Sequence, residues 1–186
     1  MKIGKFLFRY RSFFPVPYFS FLLIVIKFSW GIYLLGSSII IVGLFIRFLS
    51  QGYAGVWMRG NKISGDYILD KGSFSIMRHP LYFGNFLIGF GFTLCANFYE
   101  NFLLPIYSFI FFLYYLAIIL EEERYLERKF REEFLEYKKR VPAFFPEVWK
   151  WRSGKFSKEQ GLKMEKSTHL TILLTYLIFL LRGFLI

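Results

Sequence analysis

Residues 15–50 read almost without interruption as apolar side chains, and this run constrains the fold more than any other feature. It exceeds the roughly twenty residues that one helix needs to cross a bilayer. It therefore divides into two helices. Gly31, or Gly36 with Ser37 and Ser38, marks the expected break, giving helices over about 16–33 and 37–50 joined by a very short turn. Pro15 and Pro17 suit a helix start, where a missing N–H costs little. Lys27 then falls inside the first helix, where it is expected to snorkel or face the bundle. Further apolar runs follow at 81–98, 102–120 and 168–186. The expected fold is all-α: a polytopic membrane protein of about five transmembrane helices forming one domain over residues 1–186.

Composition agrees. Hydrophobic residues make up 55% of the chain, against roughly 45–50% in a soluble domain. The net charge of +11 raises the question of nucleic acid, but the placement of the charge answers it. Of 24 Lys and Arg, 22 fall in three blocks, at 1–12, 47–80 and 121–167, which alternate with the apolar runs. A five-span count puts all three on one side, as the positive-inside rule requires. The basicity is thus read as topology and attraction to anionic lipid, with the N-terminus and the motif-bearing loops cytosolic, and no nucleic-acid partner is expected. Cys95 is the single cysteine and cannot form an internal disulfide. His79 and His169, the two histidines, do not make a metal site.

Between the spans the chain is polar. Gly60, Gly65 and Gly72 punctuate the segment 51–80. Asn97 to Asn101 make a short turn. From Glu121 the apolar character stops while helix propensity persists. Leu126, Phe130, Phe134, Tyr137 and Val141 recur at helical spacing, predicting an amphipathic helix on the cytosolic side that lies in the interface or covers the bundle. Pro142 ends it, and Trp149 and Trp151 suit the head-group level. Residues 152–167 carry charge without a strong pattern.

Two short stretches carry the chemistry. Arg78-His79-Pro80-Leu81-Tyr82-Phe83-Gly84 opens the third span, and Glu122-Glu123-Arg124 closes the fourth. Pro80 suits the first position of a helix, which presents Arg78 and His79 at a helix N-terminus, a place that favours anionic groups. Glu122 and Glu123 cannot both face lipid. Together these residues can hold a ligand that bears an amino group, a ribose and a carboxylate, such as S-adenosylmethionine. An ordinary juxtamembrane basic pair and a charged helix exit would present the same residues. Gly84, Gly89 and Gly91 let either a neighbouring helix or a ligand approach closely.

The Arg78–Gly84 stretch resembles the Arg-His-Pro-x-Tyr-x-Gly signature of isoprenylcysteine carboxyl methyltransferases and their integral-membrane relatives, among them phospholipid N-methyltransferases. Glu122-Glu123-Arg124-Tyr125-Leu126, with Phe130 to Pro142 and Pro146, is similar to that family's C-terminal block. The likeness covers about residues 65–147, the motif-bearing core. It implies a membrane methyltransferase that uses S-adenosylmethionine and acts on a lipophilic or lipidated acceptor among membrane lipids. It further implies that His79, Pro80, Tyr82, Gly84, Gly89, Gly91, Glu122, Glu123 and Tyr137 bind the cofactor. Arg78, Glu123 and Arg124 are then the candidate catalytic residues. One departure bears on the acceptor. Carboxyl-methylating members carry a basic residue shortly before the acidic pair, and Tyr114 to Leu120 contains none, which leaves an amine, hydroxyl or other lipid acceptor open. Two other readings stay open: a membrane reductase using a nicotinamide cofactor, since sterol reductases share related architecture, and a non-catalytic lipid-binding protein.

Overall fold

The structure, a computed structural model, describes residues 15–55, 67–96 and 102–185. The basic N-terminal residues, Gly60, Gly65 and the 97–101 turn lie outside them. The elements in order are α1 (Pro15–Val25), α2 (Trp30–Ala54), α3 (Ser73–Ile76), α4 (Pro80–Ala96), α5 (Leu103–Phe130), α6 (Glu132–Arg140), a 3-10 turn at Val148–Lys150, and α7 (Lys158–Phe184). The chain is an all-α membrane protein. By length and composition α2, α5 and α7 can each cross a bilayer, and α1 and α4 are shorter apolar helices. At 1.5 Å per residue, the 11 residues of α1 rise about 16 Å, well short of a ~30 Å hydrocarbon core.

The first apolar run breaks at 26–29, earlier than its glycines predict. Ser37 and Ser38 donate their hydroxyls back to the carbonyls of Tyr33 and Leu34 (2.6 and 2.9 Å), so the helix runs through them. Lys27 consequently lies in the connector and not inside a helix. Its backbone N–H donates to Ala96 O at the far end of α4 (2.7 Å). The charge thus sits at a helix end, where it costs far less than at mid-span.

Gly36 and Gly43 serve packing. A Cβ on Gly43 would lie 2.8 Å from Gly84 O, and one on Gly36 would lie 2.6 Å from Gly91 O. These two pairs, seven residues apart on each helix, bring the backbones of α2 and α4 together, as small residues do in membrane bundles. Leu22, Tyr33, Ile40, Phe92 and Phe179 draw α1, α2, α4 and α7 around this seam in the main core.

At the other end of the bundle two boundaries differ from expectation. The stripe over 126–141 belongs to two helices, because Arg131 adopts φ 47° and ψ −120° and separates α5 from α6. The stripe still closes on itself: Phe134, Tyr137 and Val141 are buried together with Leu126 and Phe130 against them. The last helix starts ten residues before Thr168, at Lys158. Ser157 caps it by accepting from Gln160 N (3.2 Å), a Ser-x-x-Gln arrangement that satisfies one of the free N–H groups of a first turn.

Candidate functional site

The turn into α4 and the polar end of α5 meet, although they are some forty residues apart in sequence. Pro80 is the first residue of α4 and is fully buried. The N–H groups of Tyr82 and Phe83 both donate to His79 O (3.1 Å each), which closes the first turn. The preceding residues are held by the segment after α6: Arg78 N donates to Pro142 O (2.8 Å) and His79 N to Ala143 O (3.1 Å). These bonds aim both side chains at α5.

Glu123 is the hub. Its Oε1 accepts from Arg78 Nε at 2.8 Å, lies 2.8 Å from Arg78 Nη2, and is 3.1 Å from His79 Nε2; its Oε2 is 3.0 Å from Lys138 Nζ. An ionised carboxylate only accepts, so His79 Nε2 carries a proton. The Glu123 side chain is 6% exposed and lies beyond the apolar part of α5. Burial pushes its carboxyl up, but the hydrogen bonds from His79 and Lys138 and the charge of Arg78 outweigh burial and hold it at about 2. Arg78 also donates through Nη1 to Lys138 O (3.1 Å) and to Val141 O, the last carbonyls of α6, where a cation is favoured.

Glu122 is placed differently. Its Oε2 accepts from Tyr82 Oη (2.8 Å) and lies 3.8 Å from His79 Nδ1. Its Oε1 takes no partner among the described residues, and its side chain is 16% exposed. The His79 ring stacks on Tyr82 at 5.7 Å. Tyr82 in turn packs on Tyr115, whose hydroxyl accepts from Asn85 Nδ2 (3.0 Å). Asn85 Oδ1 accepts from Arg47 Nη1, and Arg47 donates through Nε and Nη2 to Glu165 (2.9 and 2.8 Å). One polar chain thus links α7 and α2 to the first turn of α4.

Of the residues singled out in the sequence, Arg78, His79, Tyr82, Glu122 and Glu123 come together, with Pro80 beneath them. Tyr137, one residue before Lys138 on α6, is buried and donates to Phe74 O (2.7 Å); burial raises its phenol well above the usual range. Arg124 points away, 55% exposed, 3.9 Å from Glu121. The three glycines of α4 face protein: Gly84 meets Gly43 and Arg47, Gly91 meets Gly36 and Ile40, and Gly89 meets the Tyr107 ring. Lys138, Asn85, Arg47 and Glu165 were not singled out. Arg47 and Glu165 had a readable signal, since ionisable residues near apolar helices tend to pair. Lys138, one of three consecutive basic residues, had none. Gln51 Oε1 and Ser73 Oγ are buried without a hydrogen-bond partner among the described residues. No three His, Cys, Asp or Glu side chains group to hold a metal among those residues.

The chain is 32% identical over 114 residues to a nickel-cobalt-cadmium resistance protein of Alcaligenes xylosoxydans xylosoxydans, covering 60% of this chain and 50% of that one. It is 32% identical over 113 residues to a cobalt-zinc-cadmium resistance protein of Cupriavidus metallidurans, covering 60% and 49%. The chain spans about half the length of these curated relatives. No solved structure matches it. Residues 22–141, from α1 to the end of α6, match the family described as "Protein of unknown function (DUF1295)", and the chain belongs to that family.

Proposed function

We propose that this protein is a membrane methyltransferase that moves a methyl group from S-adenosylmethionine to a lipophilic acceptor. The observation that carries the reading is the closure of Arg78-His79-Pro80 onto Glu122-Glu123, the two motifs whose pairing resembles that of known membrane methyltransferases. The donor set fits such a cofactor. Glu122 Oε1 takes an amino group or a ribose hydroxyl. Lys138, 40% exposed, has N–H groups beyond the one on Glu123 for a carboxylate. When bound, the cofactor supplies an already activated sulfonium methyl.

The residues of the chain then have distinct tasks. Glu123 is spent on Arg78, His79 and Lys138, so it holds the turn and α6 in register. Glu122, tied by Tyr82 on one oxygen and with no partner on the other among the described residues, binds the ligand and can take the proton released by an amine acceptor. Pro80 and the packed first turn of α4 exclude water. Alignment and water exclusion are the main catalytic contributions needed for a transfer of this kind. The acceptor enters along α5, whose Phe109, Leu113 and Leu116 are exposed toward the membrane, and leaves its tail there. The clustering of basic residues in three blocks supports a cytosolic position for this end of the bundle.

The test is calorimetry with S-adenosylmethionine and S-adenosylhomocysteine on the detergent-purified protein. Binding at micromolar levels, weakened at least tenfold in Glu122→Gln and His79→Ala, is expected. A folded sample that binds neither compound, with or without lipid, refutes the reading. A second reading, a reductase using a nicotinamide dinucleotide, draws on a cavity beside α6 that Arg140, Lys150 and Arg152 line, since a diphosphate needs such cations. The metal-resistance names belong to the relatives, and we carry no metal-binding role to this chain.

A further inference from the structure

Beside the Glu123 hub, on the far side of the end of α6, lies a cavity of about 400 Å³ with an unusual lining. Three cations converge on it: Arg140 from the last position of α6, Lys150 from the 3-10 turn, and Arg152 two residues on. Trp149 and Trp151 form its walls, and Asp70 is its carboxylate. Both guanidinium groups reach the same oxygen, Asp70 Oδ2, at 3.5 and 3.4 Å. Arg152 Nη1 donates to it, but both distances exceed the 2.7–2.9 Å of a good charge-assisted hydrogen bond, and one carboxylate oxygen is shared between two guanidinium groups. Lys150 pairs with Glu147 and donates to Arg140 O (2.7 Å). Among the described residues, three cations against two carboxylates leave a net positive charge at the cavity.

The cations are mounted on a fixed frame. Arg152 N donates to Ser75 Oγ (2.9 Å), Gly72 N donates to Arg152 O (2.7 Å), and Glu147 N donates to Ile76 O (3.0 Å). The heads nevertheless stay accessible, with Arg140 46% and Arg152 52% exposed. The apolar part of the lining is open: Trp149 is 76% exposed and Trp151 44%. The next residue along from Arg140, Val141, is bound to Arg78, so the cavity lies at the level where α4 begins and the apolar part of α5 ends. Tryptophans at that level mark the head-group zone of a bilayer.

We propose that this cavity binds the phosphate of an anionic phospholipid, with Arg140, Lys150 and Arg152 on the phosphate and the glycerol end of the lipid against Trp149 and Trp151. Phosphate is the shared chemistry of a lipid head group, a nucleotide diphosphate and the free ion. The exposed apolar lining favours the lipid, because only the lipid uses it. Fork-shaped guanidinium groups suit phosphate oxygens better than point charges do.

The experiment uses the full chain in neutral detergent and follows retained lipid by native mass spectrometry and affinity by tryptophan fluorescence. Its probes are phosphatidylglycerol, phosphatidylcholine, a reduced nicotinamide dinucleotide phosphate and inorganic phosphate. Phosphatidylglycerol is expected to bind at least tenfold more tightly than the other three. Arg140→Gln with Arg152→Gln should remove that preference, Arg140→Lys with Arg152→Lys should restore part of it, and Lys163→Gln on α7 should leave it intact. Equal binding of phosphatidylcholine, an unchanged preference in the glutamine pair, or tighter binding of the dinucleotide or free phosphate each overturns the proposal. The lysine pair keeps the test decisive if the glutamine pair fails to fold.

Discussion

Glu165→Ala is the change whose effect follows most directly from the structure. Glu165 is fully buried in α7, and its two oxygens take Arg47 Nε and Nη2 of α2 at 2.9 and 2.8 Å. The Arg47 side chain is 12% exposed, so removing Glu165 leaves a guanidinium that water barely reaches. Breaking one side of a buried pair costs roughly 3–5 kcal/mol, chiefly through the stranded charge. Asn85 Oδ1 and Thr168 Oγ1 still accept from Arg47, which puts the expected loss at the lower end, about 3 kcal/mol. That is a large share of the roughly 5–15 kcal/mol that holds a typical protein folded. Replacing both partners by leucine removes the charge problem and is expected to come within about 1 kcal/mol of the starting protein. Unfolding by a denaturing-detergent titration, with the single changes Glu165→Leu and Arg47→Leu completing the cycle, measures the coupling. If the double change costs the sum of the two single ones, the pair is not coupled and the reasoning fails.

Three other outcomes follow from local geometry. Gly43→Ala puts a Cβ 2.8 Å from Gly84 O and 2.9 Å from Ile88 Cγ1, so α2 and α4 must part at a cost of about 1–3 kcal/mol; Gly31→Ala, with open space around it, should be neutral or slightly stabilising in the same titration. Arg131→Gly should stabilise by roughly 1 kcal/mol, because φ 47° with ψ −120° is a glycine conformation; thermal unfolding that is lower than in the parent would contradict the strain. Glu123 sets an acid limit. Its carboxyl falls from an ordinary 4.5 to about 2 on folding, so its contribution is whole above pH about 4.5 and is lost as pH drops toward 2, a swing of roughly 3 kcal/mol; Glu123→Gln should flatten that acid limb, and an unchanged limb would mean other groups set it.

Much of this was legible because membrane constraints act on short stretches. The apolar runs announced the helices, and the Arg-His-Pro sequence announced a helix start at Pro80, where it stands. The break after α1 was not legible. Its connector includes Ile26 and Phe28, buried or half-buried like helix residues, and its Lys27 N–H is satisfied by Ala96 O, so nothing in the composition marks a turn. Gly36 and Ser37-Ser38 looked like a break because glycine and serine weaken helices in isolation. Here the glycine admits a neighbouring backbone, and the serines satisfy themselves on their own helix. Arg131 was equally silent, since arginine is a good helix former and the stripe keeps its spacing across the kink. At the site, the meeting of the Arg78–Gly84 stretch with Glu122-Glu123 was readable from the two motifs, and the pairing of His79 with Glu123 in particular was not. Nor was the division of labour between the two glutamates. It depends on α6 turning back at Arg131 to bring Lys138 over Glu123.

That turn and the pair on α7 bear on one problem, which is how a site at a helix end is held rigid. The segment shared with the family stops at Val141, before α7. Yet Glu165 of α7 fixes Arg47, Arg47 fixes Asn85, and Asn85 holds Tyr115 against the Tyr82 ring beside Glu122. Asn85 lies one residue beyond Gly84, where α2 and α4 touch backbone to backbone. Loosening α7 therefore strands a charge at that contact and frees the first turn of α4 at the same time. The local cluster around Glu123 ties that turn to α5 and α6, while the longer polar chain ties it to α2 and α7. Neither alone braces it from both sides. The last helix, outside the family segment, is thus part of what holds Glu122 and His79 in place.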